Sequence, residues 1–193
     1  MRIAIEHINN IKNGPPFSEE TAEELASIIK VFDLKKRQFF LKKGDVCNYW
    51  GYVVQGLFRV YYYKRKKEVT EYFAPEGTAF TAAESYFNRV PSRSIVEALE
   101  PTTVYVFHYD DFEALCRKNH EVEHYFRKVL EQIFIYYQRR LDSLQFETAQ
   151  ERYDNLAKEI PQLILRVPSI YIASYLGITP ETLSRVRAAK NGK

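Results

Sequence analysis

Residues 31–108 are divided into short segments rich in Val, Ile, Phe and Tyr, from VFDLKK at the start to TTVYVFH at the end. Turn signals such as Lys43-Gly44-Asp45 and Pro75-Glu76-Gly77 separate these segments. β-Branched and aromatic residues favour strands, and short strands at regular spacing are typical of an antiparallel barrel or sandwich. The sequence therefore predicts an antiparallel β-domain, preceded by a helix over residues 18–30 with Ser18 as its N-cap.

A long helical pattern follows the predicted strands. Asp110 and Glu113 match a capping box, and the pattern predicts one helix over about 110–144. Its apolar positions form two adjoining stripes, namely Leu115, Val122, Val129 and Tyr136, and Phe126, Leu130, Ile133, Tyr137, Leu141 and Leu144. We expect so wide an apolar surface to pack partly on the β-domain and partly on a second copy of the chain. A single core-facing stripe in a monomer is the alternative.

The stretch Pro168–Lys190, PSIYIASYLGITPETLSRVRAAK, predicts two short helices joined by a tight turn. Gly177 suits the turn because glycine adopts a positive φ easily, and Thr179 and Pro180 suit the start of the second helix. Small and apolar residues would hold the pair together: Ile172, Ala173, Leu176, Ile178, Leu183 and Val186. The outward positions of the second helix are polar or charged, as expected of a helix that enters a major groove. An ordinary αα-hairpin is the alternative interpretation.

The local charge favours DNA binding. Residues 161–193 hold five basic residues and one acidic residue, a net charge of +4, whereas the whole chain carries only +3. Positive charge is thus concentrated on the segment that would meet phosphate. Thr148 and Glu151 match a second capping box, so the predicted long helix ends near Gln145–Glu147. This break predicts two domains, residues 1–144 and residues 145–193.

Several other classes of protein are not supported by the sequence. The opening MRIAIEHINN does not match a signal peptide, and no apolar run approaches the ~20 residues that span a bilayer, so we expect a soluble, cytoplasmic protein. Two cysteines cannot supply a four-cysteine iron–sulfur or zinc site, and His120 and His124 have no evident third ligand, so no metal site is predicted. No catalytic set is recognisable, and an enzyme is not expected.

The order of these elements resembles the Crp/Fnr family of bacterial transcription regulators. The resemblance covers about Ser18 to Lys190 and is most specific in FFLKKGDVCNYWGYVVQGLFRVYYY, EYFAPEG, PSRS at 91–94 and RVPSIYIASYLGITPETLSRVR, the last similar to members from Bacteroidetes-type bacteria. It implies an α+β fold: an eight-stranded, cyclic-nucleotide-binding-like β-roll (a double-stranded β-helix), a long dimerisation helix and a C-terminal winged-helix-like helix-turn-helix. It also implies a homodimer on a pseudo-palindromic site in double-stranded DNA, with RNA polymerase as a further candidate partner.

The resemblance implies a ligand site in the β-roll. In members that bind cyclic AMP, a glycine and a glutamate follow a short turn, and an Arg-Ser pair holds the cyclic phosphate. Here residues 77–80, GTAF, match the turn and Arg93-Ser94 match the phosphate pair, but Thr81 and Ala82 stand at the glycine and glutamate positions. Alanine cannot accept the charge-assisted hydrogen bond, worth ~1.5–3 kcal/mol, so we do not expect cyclic AMP to be the effector.

Three further residues complete the candidate ligand set. Glu84 would replace the missing glutamate only if the loop were rearranged, and Tyr137 and Gln138 fall where family members reach the ligand base. Arg93 has an equally weighted structural interpretation, in which it bonds loop carbonyls or pairs with Glu84. The effector is therefore expected to be a small anionic or nucleotide-like molecule, if one exists at all, and no cofactor is predicted with certainty.

The family's base-reading positions fall on Pro180, Glu181, Ser184 and Arg185. Glu181 can accept from a cytosine amino group and Arg185 can bond guanine, so together they would read a G·C pair. The expected phosphate contacts, which position the protein, are Ser169, Tyr171, Thr179, Thr182 and Arg187. A wing is expected to be absent or confined to residues 162–167.

These observations favour a homodimeric, sequence-specific DNA-binding transcription regulator. The alternative is a ligand-binding or scaffold protein whose helix-turn-helix contacts protein instead of DNA. The two hypotheses differ in whether the protein binds duplex DNA in a salt-dependent manner.

Overall fold

The computed structural model describes residues 17–191, with side chains from 17 to 189. The predictions for the opening segment, and those that involve the side chains of Lys190 and Lys193, lie outside these residues.

Within residues 17–191, eight antiparallel strands form two four-stranded sheets. One sheet has the order β1 (Ile29–Leu34), β8 (Thr102–His108), β3 (Tyr49–Gln55) and β6 (Ala79–Phe80). The other has the order β2 (Phe39–Leu41), β7 (Ser94–Ala98), β4 (Leu57–Lys64) and β5 (Lys67–Pro75). The predicted antiparallel β-domain and the α+β class are confirmed. Strand β6 and a short helix, α2 (Ala83–Asn88), were not predicted, because so few residues display no periodicity.

Apolar side chains between the two sheets form the main core. Fully or almost fully buried members include Val53, Phe58, Val60, Ala74, Phe80, Val96, Val104 and Val106. The N-terminal helix α1 (Glu19–Ile28) packs on this core through Leu25, which is buried. Ser18 Oγ accepts a hydrogen bond from the backbone N of Thr21 at 3.3 Å, which confirms the predicted N-cap.

The prediction of a single helix over about 110–144 is wrong, because the helix is interrupted near its start. The chain forms α3 (Tyr109–Lys118) and then α4 (His120–Phe146), with extended backbone at Asn119 between them. The Asn119 side chain accepts hydrogen bonds from the backbone N of Glu121 at 3.1 Å and of Val122 at 3.2 Å. Asparagine side chains compete for backbone donors in this way and favour caps over helix interiors. The capping box expected at Asp110 is not formed, since His108 is the N-cap of α3 and makes no side-chain cap bond.

Four helices complete the described chain: α5 (Ala149–Glu159), α6 (Pro161–Arg166), α7 (Ser169–Leu176) and α8 (Pro180–Asn191). The predicted break before α5 is present, with extended backbone at Glu147 and a complete capping box between Thr148 and Glu151. Residues 109–191 contain helices and no strand, so the described chain has no wing.

A second apolar cluster joins the C-terminal helices to the β-roll. Leu57 of β4 and Phe73 of β5 belong to the same buried cluster as Leu163, Ile172 and Leu183. Because one core spans residues on both sides of position 144, the division into domains at that position remains a prediction.

Ser174 of α7 attaches this helix to the edge strand β5. Its hydroxyl accepts a hydrogen bond from the backbone N of Thr70 at 2.9 Å and donates to the backbone O of Glu68 at 3.0 Å. An edge strand leaves such backbone groups unpaired unless another element covers them. The reading head, defined here as α7, the turn after it and α8, is thus packed directly on the β-roll.

Arg166 at the end of α6 makes a second link between the two parts. Its guanidinium donates to Glu76 Oε1 at 2.7 Å and Glu76 Oε2 at 2.8 Å, and it also bonds Glu100. These hydrogen bonds lower the pKa of Glu76 from 4.5 to about 2. Arg166 is one of the five basic residues of 161–193 that were expected to meet DNA, and the structure corrects this expectation, because its partners Glu76 and Glu100 are carboxylates of the β-roll.

The Arg166 to Glu76 pair predicts a pH-dependent stability. Since the folded-state pKa of Glu76 is depressed, its contribution is complete above about pH 4.5 and is lost as the pH falls toward 2. Arg166→Ala should therefore lower the melting temperature at pH 7 by roughly 2–4 °C, equivalent to about 1 kcal/mol for a partly exposed pair. The difference from the wild type should shrink between pH 4.5 and pH 2 in calorimetric melts. Arg139→Ala is the control, and an equal difference at pH 7 and pH 3 would contradict the prediction.

Candidate DNA interface and candidate ligand cavity

The turn between α7 and α8 has the geometry that the sequence predicted. Gly177 has a φ of 68°, and the backbone N of Ile178 donates to the O of Ala173 at 3.0 Å, which closes the end of α7. Thr179 Oγ1 accepts from the backbone N of Thr182 at 3.2 Å, so Thr179 caps α8 and Pro180 begins it. The start of α8, and with it the direction of its first two turns, is fixed by these local bonds.

The four predicted base-reading residues lie together on the outer face of α8. Pro180, Glu181, Ser184 and Arg185 are all exposed. Hydrogen bonds from Thr179 and from the helix backbone, together with nearby Arg185, lower the pKa of Glu181. Glu181 is therefore an ionised acceptor at neutral pH, and Arg185 is an exposed donor of forked geometry. A carboxylate acceptor and a guanidinium donor one turn apart match the two sides of a G·C pair in the major groove.

The five predicted phosphate-contact residues occupy three different places. Thr179 and Thr182 lie at the start of α8, where their hydroxyls are 3.2 Å apart. Ser169 and Arg187 contact each other across the two helices, since Arg187 Nη1 donates to Ser169 Oγ at 2.7 Å. Tyr171 faces the β-roll, with its ring centroid 3.6 Å from the guanidinium carbon of Arg59. Contact of these residues with DNA stays a prediction.

Arg59 is a buried residue of β4 that contacts α7, and it was not singled out from the sequence. It is 1% exposed, donates to Glu68 Oε2 at 2.6 Å and to Thr70 Oγ1 at 2.9 Å, and lies between the rings of Tyr61 and Tyr171. A charge in an otherwise apolar strand, LFRVYYY, is costly to bury without partners, and that position was a usable signal. Its partner Tyr171 follows 112 residues later in the sequence, so the contact itself had no local signature.

The candidate ligand residues surround a cavity of ≈ 210 Å³ between β5, β7, α2 and α4. Six of the seven predicted residues line it, namely Thr81, Ala82, Glu84, Arg93, Ser94 and Tyr137. Gln138 does not line the cavity and is exposed. Glu71 and Tyr72 also line it, and the sequence analysis did not single out either of them.

Two tyrosine side chains, Tyr72 and Tyr137, line this cavity. The Tyr72 hydroxyl donates to the backbone O of Thr81 at 2.7 Å, and burial raises the pKa of Tyr72 well above its ordinary value. Burial likewise raises the pKa of Tyr137 to about 12. Both phenols are therefore neutral at physiological pH. The Tyr137 hydroxyl can donate to a ligand, whereas the single O–H of Tyr72 is already donated to Thr81.

The Glu71 carboxylate already contacts both members of the Arg93-Ser94 pair. Ser94 Oγ donates to Glu71 Oε2 at 2.8 Å, and Arg93 Nη2 lies 3.5 Å from Glu71 Oε1. Arg93 Nε is also 3.8 Å from Glu84 Oε2. Arg93 thus forms ion pairs with Glu71 and Glu84 of its own chain. The pair with Glu84 is the one expected if Arg93 has a structural role.

Helix α4 is covered by the β-roll over its first half only. Val122 is fully buried, and Phe126, Val129 and Ile133 pack on the main core. Farther along, large apolar side chains are exposed in the single chain: Phe134 is 72% exposed, Leu141 55%, Leu144 43% and Phe146 80%. Exposed apolar surface of this kind on one helix indicates an interaction surface.

Metal sites and membrane-spanning helices are two further features that a chain of this kind could contain. Within residues 17–191, no group of three or more His, Cys, Asp or Glu side chains is arranged to hold a metal ion. None of the helices described is both long enough and apolar enough to cross a membrane.

The described chain combines a β-roll, a long helix and a helix-turn-helix. Residues 31–119 match the family model of the cyclic nucleotide-binding domain. No curated protein sequence matches the chain.

Solved structures of transcription regulators share the fold. FixK2 from Bradyrhizobium japonicum aligns with a TM-score of 0.75 and 20% identity over 86% of this chain and 85% of that one. The catabolite activator protein of Thermus thermophilus aligns with a TM-score of 0.58 and 21% identity over 93% and 85%. The c-di-GMP responsive global regulator CLP from Xanthomonas campestris aligns with a TM-score of 0.72 and 13% identity over 91% and 92%. The chain therefore has the fold of Crp/Fnr regulators.

Proposed function

We propose that this protein is a member of the Crp/Fnr family and acts as a homodimeric, sequence-specific DNA-binding transcription regulator. The observation that carries the proposal is the outer face of α8, where Glu181 and Arg185 are exposed on a helix whose start is fixed by the Thr179 cap. Base readout requires a hydrogen-bond acceptor and a forked donor on a rigid element. On a flexible loop the same groups would vary in orientation and would distinguish the correct base pair from others less well.

The second half of α4 supports the dimer. Its exposed Phe134, Leu141 and Leu144 would be covered if two copies of the helix packed side by side. Two reading heads related by a two-fold axis would then contact half-sites about one DNA turn apart, ~34 Å. We infer a pseudo-palindromic operator from this symmetry. RNA polymerase stays a predicted partner, and the protein would act in the cytoplasm with the DNA that it binds.

Control by a ligand would pass through the cavity and α4. Tyr137 of α4 lines the cavity, and Tyr136 beside it places its hydroxyl 3.1 Å from the hydroxyl of Tyr175 in the reading head. Arg140, one turn farther, bonds the backbone O of Tyr175 and stacks 3.8 Å above its ring. A ligand that moved Tyr137 would therefore disturb a helix that directly holds the reading head, and the Glu147 to Thr148 break would act as the hinge.

Selection of bound duplexes from a random DNA library tests the proposal. We expect the intact protein to enrich a two-fold symmetric sequence and to bind it with an affinity that falls steeply as salt rises. A shuffled duplex of equal length is the control. Equal affinity for both duplexes, or no dependence on salt, would contradict the proposal and favour a reading head that contacts protein.

A further inference from the structure

We propose that Glu71 is a built-in carboxylate that fills the anion-binding position of the cavity, so that the cavity selects an uncharged or positively charged small molecule and excludes phosphate-bearing ligands. The inference rests on the proposed sensor role of the β-roll, but it concerns ligand binding alone and is tested without DNA.

The position of Glu71 is set by a β-bulge. In the pairing of β4 with β5, Val60 lies opposite Tyr72 and Tyr61 lies opposite Thr70, so Glu71 is the extra residue without an opposite partner. Successive residues of a regular strand point to opposite faces, whereas Glu71 and Tyr72 both line the cavity. Bulges re-aim side chains in this way. The strand irregularity is thus what brings the Glu71 carboxylate to Arg93 and Ser94.

The contacts of Glu71 are those that a bound phosphate would make. A guanidinium and a hydroxyl that converge on one point form a donor set for an anion, and here both face the two carboxylate oxygens, at 3.5 Å from Arg93 and 2.8 Å from Ser94. The Glu71 side chain is 23% exposed, whereas those of Arg93 and Glu84 are 65% and 67% exposed. Glu71 is therefore the inner partner of the arginine and the one that a ligand would have to displace.

The charges of the lining residues point the same way. Two carboxylates, of Glu71 and Glu84, face one guanidinium, of Arg93, and the other lining side chains are neutral. A phosphate group entering the cavity would meet a net negative lining and would have to break the ion pair of Arg93 with Glu71. A neutral polar or cationic ligand meets no such penalty, and Glu71, Glu84 and the Tyr72 and Tyr137 phenols offer it acceptors and aromatic faces.

The test is direct titration of cyclic AMP, as a phosphate-bearing probe, into the full-length protein by calorimetry. We expect Glu71→Ala to bind the probe at least tenfold more tightly than the wild type, because the substitution both removes the competing charge and clears its space. Glu71→Gln, which removes the charge alone, should show part of this gain. In the double variant that also carries Arg93→Ala, the gain should disappear.

Glu23→Ala is the matched control, since it removes an exposed carboxylate of α1 that does not line the cavity, and its effect should stay below threefold. Circular dichroism and thermal melts check that each variant is folded. If Glu71→Ala does not fold, the comparison of wild type with Glu71→Gln tests the proposal. The proposal is overturned if wild type and both Glu71 variants bind the probe equally, or if the gain survives the loss of Arg93. Neither result depends on whether the reading head binds DNA.

Discussion

Replacing Arg185 by alanine should lower the affinity of the intact protein for the operator selected from the random library about 10- to 100-fold, with discrimination lost at one G·C pair of each proposed half-site. The guanidinium is exposed on the outer face of α8, and its one hydrogen bond with the described residues joins Nη2 to Thr182 Oγ1 at 3.3 Å, at that same surface. A bidentate contact of arginine with guanine is worth about 1–3 kcal/mol. Fluorescence anisotropy with operators altered one base pair at a time would measure both effects.

The salt dependence distinguishes base readout from simple charge attraction. A base contact should leave the slope of log K against log salt almost unchanged, whereas loss of a phosphate contact would reduce that slope by about 1. Arg117→Ala, which removes an exposed arginine of α3 away from the reading head, should leave both affinity and slope unchanged. Wild-type affinity of the Arg185→Ala variant would contradict the assignment of Arg185 as a base-reading residue.

Leu141→Glu should convert the proposed dimer to a monomer, with the dimer dissociation constant raised about 100-fold or more. Leu141 is 55% exposed in the single chain, so the substitution should not unfold the subunit. In the dimer the change would enter the apolar seam twice and bury two carboxylates of like charge, at a cost of several kcal/mol. Sedimentation velocity over a range of concentrations would follow the dissociation, and operator affinity should fall in parallel because only one half-site could then be held.

Gln132→Glu is the control for this variant, because Gln132 is exposed on α4 two residues before Phe134 and therefore lies on a different side of the helix. It adds the same charge to the same helix without entering the apolar stripe. If Leu141→Glu remained dimeric at the concentrations where the wild type is dimeric, the second half of α4 would not be the seam.

The features predicted correctly from sequence depend on neighbouring residues. The Gly177 turn, the Thr179 cap and the Thr148 to Glu151 capping box each close hydrogen bonds over a few positions, so residue types at short spacing suffice to predict them. The one long helical prediction failed at Asn119, where a side chain outcompeted the helix for backbone donors. The spacing of apolar residues, on which the helix prediction was based, gives no information about such a side-chain hydrogen bond.

The candidate site was predicted in part for the same reason. The resemblance supplied seven candidate residues, of which six line the cavity. It did not indicate Glu71, because the inward direction of that side chain depends on a bulge in the pairing of β4 with β5. Alternation within β5 would have placed Glu71 and Tyr72 on opposite faces. Sequence reasoning therefore found the arginine of the cavity and missed the carboxylate that neutralises it.

By itself the sequence determined the antiparallel β-domain, the helical region after it and the polar face of α8, because these follow from backbone propensities and caps formed over a few residues. Only the tertiary structure decided which charges are free. Arg166 is held by carboxylates of the β-roll, Arg59 lies under Tyr171, and Ser174 bonds the backbone of Thr70 across 104 positions of the chain. Such pairings depend on which surfaces meet after folding, since a charge at a given position has no partner until distant segments approach it.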